Sequence, residues 1–230
     1  MSEQQTLSLA LVPKMDYGSW VKHQQAEDAS GRLALWLAKG GLLWLSSEEV
    51  AGKSHLIHAV FQDSPQVKIL PLHRQTLSSV QQLKFWLNVC DHSAYWVLDL
   101  PAGRLPVTLG LAVFHLIERA RSMHKSLLIV WRCEGADMQP PELSSRLLMM
   151  EHVEIAAPQG DQDLQKVLES VLKNMQWDMK ETVLPTLLQY VPRKLDALLA
   201  AIELLDDYSK KHQKKMNGSL ALKVLGAHND

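Results

Sequence analysis

Short apolar runs recur along the chain and predict buried strands. They are rich in Val, Ile, Leu and Trp: GLLWLS (41–46), VKILPL (67–72), YWVLDL (95–100), SLLIVW (126–131) and the weaker HVEIAA (152–157). Each run is too short for an ordinary helix and too continuously apolar for a strand with one exposed face. This pattern is typical of strands that are covered on both faces of a sheet.

Segments with helical spacing lie between these runs. Across residues 105–124 the apolar positions fall on one helical face, at Leu109, Val113, Leu116, Ile117 and Ala120. Strands that alternate with helices predict a parallel sheet with right-handed crossovers. The prolines at 140 and 141 interrupt the chain before a short helix expected over 142–150. We therefore predict an α/β fold, with a parallel five-stranded sheet flanked by helices.

The pattern changes after Pro158, where the strand-like runs stop. Three helical stretches follow, over about residues 161–175, 179–190 and 193–213, and the last has one apolar face: Leu195, Leu198, Leu199, Ile202 and Leu205. We predict a small all-helical lid from these stretches. The domain prediction is a tail over 1–22, an α/β nucleotide-binding subdomain over 23–158 and the lid over 159–230.

The last lid stretch ends in a basic run, KKHQKK, which starts at Lys210. We interpret it as a solvated helix face near a carboxyl end, where cations suit the helix dipole. A nucleic-acid patch is the alternative interpretation. The absence of interleaved aromatic residues disfavours that alternative.

Length and charge narrow the class of protein. The chain has 230 residues and a formal net charge of -1, which fits one domain, or one domain with an appended lid. This charge gives no support to a protein that coats nucleic acid by bulk electrostatics, so any DNA contact is expected to be local or through a partner. Cys90 and Cys133 lie outside any CxxC or Cys/His cluster, which favours free thiols. With no signal-like start and no long apolar run, we expect a cytoplasmic protein without a membrane partner.

The stretch LLWLSSEEVAGKSHLIHAV, residues 42–60, ends like a phosphate-binding loop. In such loops glycine lets backbone amides curl around phosphate, lysine meets the outer phosphates and a hydroxyl holds magnesium. Gly52, Lys53 and Ser54 supply these groups, whereas Ser47 replaces the first glycine and two glutamates follow it. A carboxylate about 4 Å from a phosphate oxygen costs about 4 kcal/mol at a protein surface. Full binding, weakened binding and an ordinary turn before a helix all remain open.

Asp99 ends the apolar run 95–100. In phosphate-loop ATPases a second strand ends in two acids, of which the first orients magnesium and the second polarises the attacking water. Leu100 stands at the second position, so nucleotide binding could survive where hydrolysis does not. The alternative for Asp99 is a turn or cap residue after a buried strand.

The order of these segments resembles the DnaA branch of the AAA+ ATPases, and within it the Hda group of short DnaA homologues that lack the DNA-binding domain. The matching segments cover nearly the whole chain: DYGSWV (16–21), AGKSHLIHAV (51–60), ILPL (69–72), VLDL (97–100), PPELSSRL (140–147) and VPRKLDALLAAIELLD (191–206). Agreement of several spaced segments in order is more specific than any single motif.

The resemblance implies a site for ADP or ATP. The residues it assigns to nucleotide are Gly52, Lys53, Ser54, His55, Arg193, Tyr17 and Trp20, of which the two aromatic residues lie near the adenine. Ser54 and Asp99 would hold Mg²⁺ when nucleotide is bound. Arg193 would reach the phosphate from the lid, although its position also fits a solvated first turn of a helix.

The resemblance also gives Arg146 a role across a subunit boundary. It falls on the arginine that such proteins present to a neighbour's nucleotide, where a permanent charge and a two-pronged fork suit phosphate. The alternative is a surface ion pair near a helix end. Trp131 stands where relatives place a small polar residue that senses the terminal phosphate. Together with Leu100 and Ser47, it indicates a chain that is not tuned for its own ATP hydrolysis.

Residues 6–11, TLSLAL, resemble the Gln-Leu-Ser-Leu-Pro-Leu peptide with which Hda proteins bind the DNA polymerase III sliding clamp (beta subunit). Here the glutamine is displaced to Gln5 and alanine replaces the proline. Gln5, Leu7, Leu9 and Leu11 are assigned to the clamp, with the last two leucines as anchors. The alternative is an edge strand or a tail that nothing ties down.

The resemblance thus implies a regulator of chromosomal replication initiation. It would act with the clamp to promote hydrolysis of DnaA-bound ATP through Arg146, and so prevent re-initiation. The expected partners are DnaA, the clamp and further copies of the chain, with DNA contacted only indirectly at the nucleoid. The alternatives are a degenerate AAA+ adaptor without a catalytic role and a weak ATPase of the DnaA type.

Overall fold

The computed structural model describes residues 19–61, 63–73, 77–90, 92–175, 177 and 181–226. Its strands are β1 (Leu42–Ser46), β2 (Val67–Leu70), β3 (Tyr95–Asp99), β4 (Ser126–Val130) and β5 (Glu151–Glu154). Its helices are α1 (Glu27–Lys39), α2 (Lys53–Phe61), α3 (Ser79–Cys90), α4 (Val107–Ser122), α5 (Pro141–Leu147), α6 (Asp161–Asn174), α7 (Val183–Tyr190), α8 (Leu195–His212) and α9 (Gly218–Gly226). Gln5, Leu7, Leu9, Leu11 and Tyr17 lie outside the described residues.

The strands form one parallel sheet in the order β2-β3-β4-β1-β5. Four of the predicted apolar runs contain a strand, whereas β5 begins one residue before the fifth run and ends at Glu154. Because the strands are parallel, the segments that follow β1, β3 and β4 leave the sheet at the same edge. The loop after β1 therefore lies close to the ends of β4 and β3.

Side chains along β1, β3 and β4 alternate between two core clusters on opposite faces of the sheet. Leu43 and Leu45 of β1 belong to a cluster with α1, α2 and the lid helices, whereas Trp44 belongs to a cluster with α3, α4 and α5. The first cluster continues without a break from the sheet into α6, α7, α8 and α9. The lid is thus packed on the α1–α2 side of the sheet.

Helix α5 and the segment before it pack closely against α4. A Cβ atom on Gly110 of α4 would lie only 2.3 Å from the backbone oxygen of Gln139, just before α5. Pro141 occupies the first turn of α5, where its missing N–H is not needed. The helix predicted over 142–150 ends at Leu147, because a turn follows in which the Met150 N–H donates to the Leu147 oxygen.

The lid contains a helix that the apolar spacing did not predict. Besides α6, α7 and α8, the structure shows α9, whose start is capped by Asn217: its Oδ1 accepts the Leu220 N–H at 3.0 Å. Gly218 lets α9 approach α7, since a Cβ there would lie 2.7 Å from the Thr186 hydroxyl. None of the helices within the described ranges combines the length and apolar character needed to cross a bilayer.

Candidate functional site

The Gly-Lys-Ser segment forms the junction between the loop after β1 and helix α2. Gly52 has a φ of +75°, a left-handed conformation that glycine adopts at little cost. Lys53 is the first residue of α2, and the Leu56 N–H donates to the Gly52 oxygen at 2.9 Å. The first N–H groups of the helix therefore face the loop, which is the backbone arrangement that binds phosphate.

Ser47, at the position of the missing first glycine, closes the loop on itself. The Lys53 ammonium donates to the Ser47 hydroxyl, which in turn donates to the backbone oxygen of Glu49 at 2.6 Å. Ser47 is buried, whereas Glu48 and Glu49 are exposed. The two glutamates thus lie in solvent, where their electrostatic cost to a bound phosphate is small. To contact Lys53, a phosphate group would have to replace the hydrogen bond between Lys53 and Ser47.

Asp99 lies beside the same loop, at the end of β3. Burial raises the pKa of its carboxyl above the ordinary value, and a hydrogen bond from Ser54 and the charge of Lys53 oppose that rise. The structure therefore brings together Lys53, Ser54 and Asp99, which the sequence assigned to phosphate and magnesium. A hydroxyl and a carboxylate are oxygen ligands of the kind Mg²⁺ prefers, and the ion usually takes its remaining ligands from phosphate and water. The donor set fits this ion.

Arg132 is a second cation at the loop, and no sequence motif assigned it a role. The pKa of Lys53 is lowered to about 8, first by burial and then by the positive charge of Arg132, while Asp99 acts in the opposite direction. Arg132 follows β4, and β4 lies between β3 and β1 in the sheet. The position of Arg132 just after an apolar run was the sequence signal that could have placed it at this edge of the sheet. Two cations at one loop favour an anionic ligand.

Leu100 and Trp131 stand at the positions where a water-activating acid and a phosphate-sensing polar residue were considered, and both side chains are buried. Leu100 is 6% exposed, and its N–H donates to the Val130 oxygen at 2.8 Å. Trp131 is fully buried, and its indole N–H donates to the Gly103 oxygen at 3.1 Å. Neither Leu100 nor Trp131 can take a proton from water. At the end of β3 the chain therefore has one carboxylate, Asp99, and no second one.

A cavity of about 410 Å³ lies between the loop and the lid. Trp20 forms one wall: a Cβ on Gly52 would lie 3.2 Å from its Cζ3 atom, and its ring meets the His55 ring edge-on at 5.5 Å. His55 also forms a hydrogen bond of 2.7 Å with the Ser19 hydroxyl. This volume is within the range of small-molecule sites. Gly52, His55 and Trp20, all assigned to nucleotide from the sequence, line this cavity together.

The cavity has further lining residues that no sequence motif identified as part of a site. They come from the segment before α1 and from lid helices α6 and α8: Val21, His23, Val167, Ser170, Asn174, Ile202, Glu203, Asp206 and Lys210. Burial lowers the pKa of His23, which favours its neutral form. A lid residue that faces a ligand across the cavity has no local motif, so apolar spacing alone could not single these residues out.

The two assigned arginines form ion pairs outside the loop. Arg193 donates to Asp161 at 2.5 Å, and both side chains are more than half exposed. Arg146, on α5, donates to Glu118 of α4 at 2.5 Å, and its guanidinium lies 5.7 Å from the Phe114 ring centroid. Ion pairs at the surface contribute about 0–1 kcal/mol. Either arginine can therefore exchange its carboxylate for a phosphate at small cost.

No protein-family model matches the chain. Among solved structures, domain III of the replication initiation protein DnaA from Thermotoga maritima is similar, with a TM-score of 0.66 and 15% identity over 94% of this chain and 97% of that chain. The RuvB Holliday junction branch migration motor of the same organism is similar with a TM-score of 0.62 and 10% identity, over 94% of this chain and 73% of that chain. The chain has an AAA+ fold. AMPPCP-bound DnaA from Aquifex aeolicus is similar with a TM-score of 0.57 and 16% identity, over 86% of this chain and 66% of that chain.

The AAA+ fold confirms the predicted architecture, a five-stranded parallel sheet flanked by helices with an all-helical lid. At identities of 10% to 16% the similarity shows the fold alone. The site holds a lysine, a hydroxyl and a carboxylate at the loop after β1, and leucine and tryptophan occupy the two positions to which the resemblance assigns water activation and phosphate sensing.

Proposed function

We propose that this chain is an Hda-like regulator of chromosomal replication initiation, which acts with the sliding clamp to promote hydrolysis of ATP bound to DnaA. The observation that carries the proposal is the pairing of Asp99 with the buried Leu100 beside an assembled Lys53 and Ser54. Such a site can hold a nucleotide but has leucine in place of the acid that activates water. The similarity to DnaA domain III over nearly the full length of both chains supports a replication role.

ADP or ATP is the ligand that fits the site. Lys53 and Arg132 supply positive charge for the phosphates, and Trp20 supplies an aromatic wall for the base. Ser54 and Asp99 would hold the Mg²⁺ that neutralises phosphate charge. On binding, Lys53 exchanges the Ser47 hydroxyl for a phosphate oxygen. A relative of the same fold is described as bound to AMPPCP, which supports a nucleotide at this place.

Arg146 would act on the nucleotide of a partner. Its guanidinium is accessible, with 30% of the side chain exposed. Leu148 and Met149 follow directly after α5 and are 72% and 64% exposed. Neighbouring exposed apolar side chains are typical of a surface that a protein partner covers. An arginine at such a boundary can leave Glu118 and stabilise charge on the phosphates of DnaA, an effect worth about 10³–10⁵ in rate in other systems.

The hydrolysis of ATP bound to DnaA, in the presence of a DNA-loaded clamp, tests the proposal. Arg146→Ala should lower the stimulation by about 10³ while clamp binding stays unchanged. Arg121→Ala is the matched control, because Arg121 also pairs with Glu118, at 3.5 Å, but lies on α4. Retained stimulation in Arg146→Ala would show that this arginine is not the catalytic group.

The clamp contact is proposed for residues 5–11, and it can be tested separately. A double change, Leu9→Ala with Leu11→Ala, should abolish clamp binding and clamp-dependent stimulation of DnaA, since these leucines are the proposed apolar anchors. Nucleotide binding by the same variant should stay unchanged. Clamp binding at the wild-type affinity would remove the amino-terminal segment from the proposal.

A binding platform that uses no nucleotide is the second candidate function. The engagement of Lys53 by Ser47 favours it, because the loop is closed by its own groups. Calorimetric titration with ADP and ATP separates the two candidates, with Lys53→Ala as control. Binding that is lost in the variant supports the regulator with a working nucleotide site. No heat with either nucleotide supports the platform.

A further inference from the structure

Two residues of the basic run at the end of α8, Lys211 and His212, line a groove on the lid. The groove has a volume of about 450 Å³ and lies between α8 and α9. Its lining residues are Leu204, Asp207, Tyr208, Lys211, His212, Leu220, Lys223 and Val224. We call this surface the basic groove. It is separate from the cavity beside the phosphate loop, and the proposed function makes no use of it.

Positive charge is concentrated around the basic groove. Residues 204–224 contain five lysines and two aspartates, an excess of three positive charges in a chain whose formal net charge is -1. Lys210 is paired with Asp206 at 2.6 Å. The helix dipole favours cations in the last turn of α8, but Lys214 and Lys215 lie beyond the end of that helix. The dipole therefore does not account for the whole cluster.

The turn that carries Lys214 and Lys215 is firmly anchored. Gln213 adopts a left-handed conformation with a φ of +50°, and the Ser209 hydroxyl donates to the Lys214 oxygen at 2.7 Å. Met216 is fully buried just after the two lysines. Because the backbone is already held in place, a ligand would pay little of the entropic cost of ordering it.

An aromatic pair lies beside these lysines. The rings of Tyr208 and His212, one turn apart on α8, have centroids 4.2 Å apart and an interplanar angle of 35°. Leu204, Leu220 and Val224 give the groove an apolar floor. The basic run has no interleaved aromatic residue, which by itself disfavours a nucleic-acid site. Tyr208, two residues before the run, supplies that missing element once the helix is formed.

We propose that the basic groove binds single-stranded nucleic acid without sequence preference. Lys211 and Lys223 would contact phosphates from opposite sides of the groove, and a base would pack against the Tyr208–His212 pair. Cations that follow the backbone, together with aromatic side chains that stack on bases, are the combination used by such sites. An acidic peptide would satisfy the lysines but would leave the aromatic pair and the apolar floor without a matching group. Asp207 opposes phosphate at one point of the rim.

Fluorescence anisotropy with a labelled oligo-dT strand tests this proposal on the full chain without added nucleotide. Lys211→Glu with Lys223→Glu should weaken binding by at least about tenfold. The milder pair Lys211→Ala with Lys223→Ala should reduce the slope of log K against log salt by about 1.4, since each phosphate contact on a single strand contributes about 0.7. The matched control is Lys39→Glu with Lys173→Glu, which changes the net charge equally on α1 and α6, and it should bind like the wild type.

The aromatic contribution has its own pair of variants. Tyr208→Leu should weaken binding by about fivefold or more, whereas Tyr208→Phe should bind like the wild type, because the ring and not the hydroxyl stacks on a base. Far-ultraviolet circular dichroism and the midpoint of thermal unfolding check that each variant is folded. A folded Tyr208→Leu variant with unchanged affinity would overturn the stacking contact and with it the assignment to single strands.

Three further outcomes overturn the proposal. The first is the absence of binding to oligo-dT at low salt. The second is an equal loss in the Lys39 and Lys173 control, which would show that net charge alone matters. The third is binding of polyglutamate as tight as that of oligo-dT with the same dependence on Lys211 and Lys223, which would identify an acidic peptide as the ligand.

Discussion

Nucleotide affinity is expected to fall as the pH rises, because the lowered pKa of Lys53 lets its side chain lose the positive charge. Its pKa is lowered from 10.5 to about 8, mainly by burial and further by the charge of Arg132. Bound phosphates would stabilise the charged ammonium and raise that pKa again. The complex therefore holds a proton that part of the free protein lacks. Binding is strongest below about pH 8 and weakens between the free and bound pKa values.

The size of the effect follows from the fraction of Lys53 that is charged. With a pKa of about 8, about nine tenths of the side chains are charged at pH 7 and about one tenth at pH 9. Affinity for ADP should therefore fall about tenfold between these two values. Uptake of protons on binding should rise from about 0.1 per nucleotide at pH 7 to about 0.5 at pH 8 and about 0.9 at pH 9.

Isothermal titration calorimetry measures both quantities. ADP is titrated at pH 7, 8 and 9, each in two buffers of different ionisation enthalpy, so that proton uptake is obtained from the difference in heat. Lys53→Arg is the control, because a guanidinium stays charged across this range and its affinity should be nearly independent of pH. Equal wild-type affinity at pH 7 and pH 9, or the same pH dependence in Lys53→Arg, would refute the assignment of the effect to Lys53.

Four other changes test how the site and the fold are built. Ser47→Gly frees the Lys53 ammonium from a charged hydrogen bond, a kind worth about 1.5–3 kcal/mol, so ADP affinity should rise by about tenfold or more by calorimetry; an unchanged or lower affinity would contradict this role of the hydroxyl. Gly110→Ala places a methyl group 2.3 Å from a backbone oxygen and should lower the free energy of unfolding in urea by about 1–3 kcal/mol. Gly31→Ala, on α1 with open space around it, should instead raise that energy by about 0.5–1 kcal/mol, and a similar loss in both variants would argue against the packing explanation. Trp20→Ala removes the aromatic wall of the cavity and should lower the affinity for ADP by about 2- to 12-fold in a displacement assay. An unchanged affinity would mean that the base lies elsewhere.

The parts of the fold that could be predicted have local signals. The apolar runs marked the strands because a strand buried on both faces has few polar positions. Lys53, Ser54 and Asp99 could be assigned to one site because a Gly-Lys-Ser motif and an acid at the end of a buried strand occur together in phosphate-loop ATPases. The boundaries were less well placed: α5 ends at Leu147, three residues earlier than expected, since the turn that follows is held by backbone hydrogen bonds.

The parts that could not be predicted depend on tertiary contacts. Arg132 acts on Lys53 only because β4 lies between β3 and β1, an order that periodicity does not encode. Helix α9 is nine residues long and relies on its packing against α7, which Gly218 permits. The basic groove needs α9 as its second wall, so Lys223 could not be connected with Tyr208 from spacing alone.

The central claim is that Arg146 acts on the nucleotide of DnaA while this chain does not supply the site of hydrolysis. The most direct measurement is the single-turnover rate at which ATP prebound to DnaA is hydrolysed on a DNA-loaded clamp, with wild type, Arg146→Ala and Arg146→Lys. We expect a loss of about 10³ or more for alanine and little recovery for lysine, whose point charge cannot replace the fork of arginine. A wild-type rate with Arg146→Ala would contradict the claim.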